Sequence, residues 1–189
     1  MTFSRSSEKE KIRLRLLAER DRLSPELIGE KSRQIAVRLL GLKFWESFDS
    51  VALYAPIKNE VRTENIAEEF FKTKKVFYPR VKGLEIDFYQ VKSITDLSPG
   101  FCQIPEPNLG NGESSLREID CIIIPGVAFD RDGYRLGFGR GYYDKALAGY
   151  TGLVIGLAYD FQILDRLPRD PHDVGCHWIV SETQVYQRD

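Results

Sequence analysis

The chain has 189 residues, of which 42% are hydrophobic and 29% charged, with 27 Lys and Arg against 28 Asp and Glu. This balance excludes a disordered chain and points to one compact domain, 1–189, with enough core to fold without covalent staples. A net charge of -1 removes the electrostatic case for nucleic acid or a membrane surface as the main partner, and leaves open a small acidic ligand held by a local basic cluster.

No apolar run approaches the ~20 residues that a membrane helix needs. The segment from Met1 to Lys11 is polar and charged, unlike a secretory signal. Cys102, Cys121 and Cys176 are odd in number, far apart and outside any CxxC pair. Disulfides are therefore not expected, and the reducing cytoplasm is the expected location.

The first forty residues read as two helices. Ile12, Leu16 and Leu23 mark the apolar stripe of the first, and Lys9, Arg13 and Arg20 share a neighbouring face. Ser24-Pro25 supplies an N-cap followed by a first-turn proline, and Ile28, Ile35 and Leu39 continue as the buried stripe of the second. Short β-rich runs then alternate with helices and turns. Ser50 to Ala55 reads as a strand, and Thr63 opens a helix carrying Ile66, Phe70 and Phe71. Lys75 to Tyr78 reads as a strand stopped by Pro79, and Glu85 to Val91 alternates as a strand with one exposed face. Ser98 to Ser115, rich in proline and glycine, reads as a long surface loop. Asp120 to Ile124 is a continuous apolar run, as in a strand covered on both faces. A helix over Tyr142 to Leu147 and strands at Leu153 to Ala158 and His177 to Val180 complete the series. This alternation predicts an α/β fold: a mainly parallel sheet flanked by helices on both faces and preceded by two N-terminal helices.

The densest chemical signal is Arg135-Leu-Gly-Phe-Gly-Arg-Gly-Tyr-Tyr-Asp144. Gly137, Gly139 and Gly141 remove every second side chain, so backbone N–H groups can approach an anion. Arg135 and Arg140 add charge and forked donors. The loop runs into a helix start, whose free N–H groups and dipole favour phosphate. A glycine-rich turn with two surface arginines is the structural alternative. The spacing is not the dinucleotide fingerprint, and no GxxxxGK[ST] is present. Glu60, Asp160 and Asp173 follow strands at the sheet edge where α/β proteins bind ligands, and acids beside an anion loop suggest Mg²⁺. The start of a calcium loop at Asp130-Arg-Asp132-Gly133 fails at its twelfth position, which is Gly141, so a turn stabilised by Asp side chains explains it better. A zinc site built from His172, Cys176 and His177 lacks a fourth ligand.

Pro125-Gly-Val-Ala-Phe-Asp-Arg-Asp-Gly-Tyr, running into that Gly loop, resembles the signature of the 5-formyltetrahydrofolate cyclo-ligase family. Lys9 with Arg13, Asn59-Glu60-Val61 with Thr63, Ile104-Pro-Glu-Pro107, Gln162, Leu167-Pro168 and His172-Asp173 follow in the family's order. The resemblance implies ATP-driven, Mg²⁺-dependent closure of 5-formyltetrahydrofolate to 5,10-methenyltetrahydrofolate, releasing ADP and phosphate. Phosphorylation would turn the formyl oxygen into a leaving group, which nitrogen 10 then expels. Such a step asks for charge neutralisation and alignment rather than a protein nucleophile.

By the same resemblance, Lys9, Arg13 and the segment Arg135, Leu136, Gly137, Phe138, Gly139, Arg140, Gly141, Tyr142 and Tyr143 would bind ATP. Arg140 and Tyr142 would be the catalytic pair. Tyr54, Ala55, Glu60, Phe138 and Tyr142 would meet the folate, with Glu60 accepting hydrogen bonds from the pterin. Asp144 and Asp173 would hold Mg²⁺. The partners implied are two small molecules, ATP and the folate, with no nucleic acid and no membrane, acting on a monomer. Phe138 stands where some relatives have Arg, Cys102 where some have Trp, and Arg140 where relatives often have Lys or Gly. A module that sequesters folate or nucleotide, and a kinase acting on another small acid, are the readings from other classes.

Overall fold

A computed structural model describes residues 5–108, 113–114 and 116–188. Two helices come first, α1 (Arg5–Arg20) and α2 (Pro25–Leu40). Ser24 caps the second, its Oγ accepting from the Leu27 N–H at 3.3 Å, with Pro25 in the first turn. After β1 (Ser50–Ala52) come α3 (Glu64–Phe70), β2 (Lys75–Lys82), β3 (Glu85–Val91), β4 (Leu97–Pro99), β5 (Pro105–Pro107) and β6 (Glu113–Ser114). The remainder comprises β7 (Cys121–Ile124), β8 (Ala128–Asp130), β9 (Arg135–Leu136), α4 (Tyr142–Ala146), β10 (Leu153–Leu157), β11 (Ile163–Leu164), β12 (Trp178–Val180) and β13 (Val185–Gln187).

The main sheet runs β13-β12-β10-β7-β1-β2-β3-β6. Its five central strands are parallel, and antiparallel neighbours are added at both edges. Strand β7 shows why it is covered on both sides. Cys121 and Ile123 join Leu53, Ile155, Leu39 and Ile66 beneath α2 and α3. Ile122 and Ile124 join Ala52, Phe77, Val154 and Leu147 on the side of α4. Period-two alternation thus feeds two cores, and an unbroken apolar run satisfies both. A third core (Leu16, Val127, Ala128, Leu136, Leu167) packs α1 against a small sheet of order β11-β8-β9.

Four expectations change. Pro79 does not stop its strand: β2 continues to Lys82 and pairs Pro79 with Phe88. The Phe77 carbonyl and the Val81 N–H both point away from β3, towards Leu53 and Glu106, so the missing Pro79 N–H also falls on that side, past the end of β1. Proline is tolerated there because no ladder bond is lost. The segment from Ser98 to Ser115 is not a plain loop. It holds β5, which pairs with β4, and β6, which joins the main sheet; positions 109–112 and 115 lie outside the described residues. The ladder of β1 ends at Ala52, and Tyr54 and Ala55 turn into a cavity. The helix after the Gly loop has five residues, little more than one turn.

Candidate active site

Strands β1 and β7 are parallel neighbours, but the chain leaves β1 towards β2 and leaves β7 for β8 and then β10 on the opposite side. Ligands of open α/β sheets bind in the crevice such a reversal leaves beyond the strands' carboxyl ends. Here a cavity of about 690 Å³ opens beside Tyr54, Ala55, Pro125 and Gly126. All sixteen residues singled out above for ATP, folate, catalysis or metal line it.

The segment after β1 is held by its own bonds. Tyr54 Oη donates to the Val61 carbonyl (2.8 Å), and Thr63 Oγ1 donates to that of Tyr54 (2.9 Å). Between them Lys58 and Asn59 take left-handed conformations, with φ of 45° and 60°. Two such non-glycine residues in a row cost roughly 1–3 kcal/mol each and mark a turn kept for its geometry. What the turn presents is Glu60, 4% exposed. Its Oε2 accepts from the Ile57 N–H at 3.0 Å, while Oε1 is buried without a hydrogen-bond partner among the described residues. Burial pushes this carboxyl up to about 7, against the Ile57 bond and the charges of Arg20 and Lys58.

The Gly loop forms the opposite wall. Gly139 (φ +96°) and Gly141 (φ +68°) take conformations that side chains disfavour. Arg13 Nε donates to the Gly137 carbonyl at 2.8 Å, and its guanidinium also pairs with Glu10. Arg140 is exposed, 5.4 Å from the Phe101 ring, and its side chain bonds Tyr142. Arg135 is buried and bonds Asp144 across the loop at 2.9 Å. A helix as short as α4 has little dipole, so the positive charge of this wall comes from Lys9, Arg13, Arg135 and Arg140 rather than from a helix start.

Lys9 reaches two acids from the far end of the chain, its Nζ standing 2.8 Å from both Asp170 and Asp173. Burial works to lower the Lys9 pKa, but the hydrogen bonds and charge of these two acids outweigh it and leave it raised. Asp170, His172 and Asp173 bring one ligand atom each within 4.8 Å of one another. With the carboxylate oxygens of Asp170 and Asp173, this set suits a hard cation such as Mg²⁺ better than a soft one. Asp144 lines the cavity but is outside that cluster, its Oδ1 taken by Arg135 and by the Val174 N–H (3.3 Å). Asp160 is not among the lining residues; it accepts from Thr183 Oγ1 at 3.0 Å. His177 Nδ1 accepts from the Val154 N–H and Cys176 is fully buried, and neither joins His172 in the cluster with Asp170 and Asp173. Asp130 is likewise buried and structural, accepting from Tyr134 and Leu167 N–H groups and from Arg169.

The lining is of two chemical kinds. One is the basic residues and the Gly backbone. The other is apolar, with Ile57, Pro79, Val81, Ile86, Phe101 and Ile104. The Phe138 ring lies 5.4 Å from Lys58 Nζ and 5.6 Å from the Arg20 guanidinium. Sequence reasoning misses two parts of this site. The hairpin β4–β5 brings Phe101, Ile104 and Pro105, and is fixed by buried Glu106, whose Oε1 accepts from the Val81 N–H at 3.2 Å. Arg20, assigned to a helix face, is 1% exposed and stands behind Glu60. The family-like order of Ile104-Pro-Glu-Pro107 marks this segment in the sequence but assigns Glu106 no bond to β2.

Three free thiols and no membrane-crossing helix are found among the described residues. Residues 5–182 match the family model described as the 5-formyltetrahydrofolate cyclo-ligase family. A probable 5-formyltetrahydrofolate cyclo-ligase of Schizosaccharomyces pombe is 36% identical over 95% of this chain and 98% of its own. The solved 5,10-methenyltetrahydrofolate synthetase of Aquifex aeolicus superposes with a TM-score of 0.88, at 40% identity, over 96% of this chain and 93% of that one. That of Mycoplasma pneumoniae gives 0.77 at 33% identity, covering 93% and 99%.

Proposed function

The chain belongs to the 5-formyltetrahydrofolate cyclo-ligase family, and from that premise we propose that it closes 5-formyltetrahydrofolate to 5,10-methenyltetrahydrofolate with ATP, releasing ADP and phosphate. The observation that carries this reading is one cavity that joins a basic, glycine-walled lining to an apolar one, with Glu60, whose Oε1 has no hydrogen-bond partner among the described residues, in its wall. ATP occupies the first, its phosphates against Lys9, Arg13, Arg140 and the Gly137–Gly141 backbone. The folate occupies the second, its pterin donors on Glu60 and its ring system among Tyr54, Phe138 and Tyr142.

The formyl oxygen then faces the γ-phosphate. Its attack expels ADP, and nitrogen 10 of the folate attacks the activated carbon, loses its proton and expels phosphate. Arg140 and Tyr142, bonded to each other, gather on the transferring phosphoryl group, where fixed donors act most strongly. Asp173, with Asp170 and His172 beside it, and Asp144 would hold Mg²⁺. When bound, Mg²⁺ supplies neutralisation of phosphate charge. The apolar walls exclude water, which would otherwise hydrolyse the activated formyl group. The enzyme acts as a monomer in this reading, and the free thiols among the described residues suit the cytoplasm.

Purified protein with ATP, Mg²⁺ and 5-formyltetrahydrofolate should develop the methenyl absorbance. Its absence in folded protein under saturating substrates would overturn the reading.

A further inference from the structure

We propose that Arg20 is a positioning residue of the substrate half of the site, keeping the Glu60 carboxylate charged and in place without itself touching ligand. This rests on the reading that Glu60 receives the pterin donors.

Arg20 ends α1 and is 1% exposed, although most helix-terminal arginines are solvated. Its Nη1 stands 3.9 Å from Glu60 Oε1 and donates to the Gly126 carbonyl at 3.4 Å. Its Nε and Nη2 are buried without hydrogen-bond partners among the described residues. A buried guanidinium does not shed its proton, so this charge is permanent. Packing alone would be served better by an apolar side chain, because an incompletely paired buried ion is costly.

The 3.9 Å separation is informative. It is too long for a hydrogen bond, so the buried Oε1 keeps its acceptor capacity unused, yet short enough for strong attraction in a dry interior. A bidentate pair at hydrogen-bonding distance would use up both carboxylate oxygens. Here Ile57 takes one oxygen, Arg20 supplies the countercharge, and the second oxygen is left for ligand.

The other groups facing Glu60 do not replace Arg20. Tyr54, Tyr143 and Tyr159 are phenols whose pKa values burial raises, so they stay neutral near pH 7. Tyr159 Oη also donates to the Glu60 carbonyl at 3.2 Å, which steadies the backbone rather than the carboxylate. Lys58 is the second cation, but it is exposed and screened by solvent. Beside the Ile57 N–H bond, which favours the ionised form most, the nearest buried charge that does so therefore comes from α1.

The test needs no substrate at first. The Glu60 carboxyl resonance, assigned by its absence in Glu60→Gln, is titrated by ¹³C NMR in wild type, Arg20→Leu and Arg20→Lys. In Arg20→Leu the midpoint should rise by about 1–3 pH units, as for loss of an adjacent opposite charge, and Arg20→Lys should recover most of that shift. The KM for 5-formyltetrahydrofolate should rise at least tenfold in Arg20→Leu at pH 7.5 and fall back as pH is raised through the midpoint measured for that variant, where Glu60 ionises again. The KM for ATP should hold.

An unmoved midpoint in folded Arg20→Leu overturns the proposal. If Arg20→Leu does not fold, Arg20→Leu/Glu60→Gln decides: a regained fold supports the coupling, and continued failure overturns it. An unchanged folate KM in Glu60→Gln would instead sink the folate reading, while the carboxyl titration still reports on Arg20.

Discussion

Arg135 Nη2 and Asp144 Oδ1 meet at 2.9 Å, with side chains 3% and 22% exposed, so the residue entering the Gly loop is bonded to one just beyond it. The pair closes the loop across its base. Arg135 Nη1 is already buried without a hydrogen-bond partner, so removing Asp144 would strand a buried charge. Asp144→Ala should cost about 3–5 kcal/mol of stability. Calorimetry should show the melting point falling by roughly 6–20 °C. An unchanged melting point would mean that the pair holds nothing.

Asp173 is the better probe of metal. Asp173→Asn leaves Lys9 its bond to Asp170, and the remaining oxygen can still accept from the Asp170 N–H. We expect the Mg²⁺ concentration for half-maximal rate to rise at least fivefold, with a melting point lowered by less than about 5 °C. A Mg²⁺ titration beside a melting curve checks both. An unshifted titration would assign Asp173 to holding Lys9 alone.

Glu60→Gln should weaken folate binding roughly ten- to hundredfold, because the amide presents a donor where the pterin presents one too. ATP binding measured calorimetrically without folate should stay near normal, and equal loss of both ligands would indicate misfolding. The change also alters the pH profile of stability. The folded carboxyl, raised from 4.5 to about 7, binds its proton more tightly than the unfolded one. Its favourable contribution is full below pH 4.5 and lost as pH rises through 7. Wild type should therefore lose about 3 kcal/mol more than the variant between pH 4 and pH 8. Chemical denaturation at the two pH values measures the difference.

Three glycines of one loop should respond differently to a methyl group. Gly137 has ordinary φ, and nothing lies within 4 Å of the position a Cβ would take, so Gly137→Ala should fold normally. If phosphate approaches that backbone, the same change should raise the ATP KM at least tenfold. Gly139→Ala and Gly141→Ala meet left-handed φ instead and should each lose about 1 kcal/mol. A Gly137→Ala enzyme with normal ATP kinetics would remove this backbone from the phosphate site.

Much of this arrangement is legible in the chain before folding, and what is missed shares a cause. The two-sided strand at Cys121–Ile124 and the capped helix after Ser24 are visible because periodicity and caps are local. Strands of two or three residues, such as Arg135–Leu136 and Ile163–Leu164, carry no measurable period, so the small sheet beneath α1 leaves no signal. Pro79 misleads because a strand's neighbours decide whether its N–H is needed, and those neighbours are remote in sequence. The Gly loop is found through its glycine spacing and arginines, and Glu60 through its place after a strand, but the burial of Arg20 depends on where α1 docks. Helical spacing puts it on a face and says nothing about what covers that face.

Arg140→Ala should leave the fold intact and impair ATP use. The side chain is exposed between two glycines in left-handed conformation, so truncation removes little packing. Loss of one charge-assisted phosphate contact should lower kcat/KM for ATP about ten- to hundredfold. Unchanged kinetics would mean that the Arg140 guanidinium only rests on Phe101.

Lys9 meets Asp170 and Asp173 across 161 and 164 residues of chain. On a ribosome adding about 5–20 residues per second, the amino-terminal helix emerges roughly 10–30 s before these acids are even made. Through that interval Lys9 and Arg13 have no acid partner from the carboxyl-terminal segment, and the wall they complete does not exist. This wall of the cavity is thus among the last parts of the molecule to form, and if ATP binds there, a nascent chain released early should neither bind ATP nor consume it.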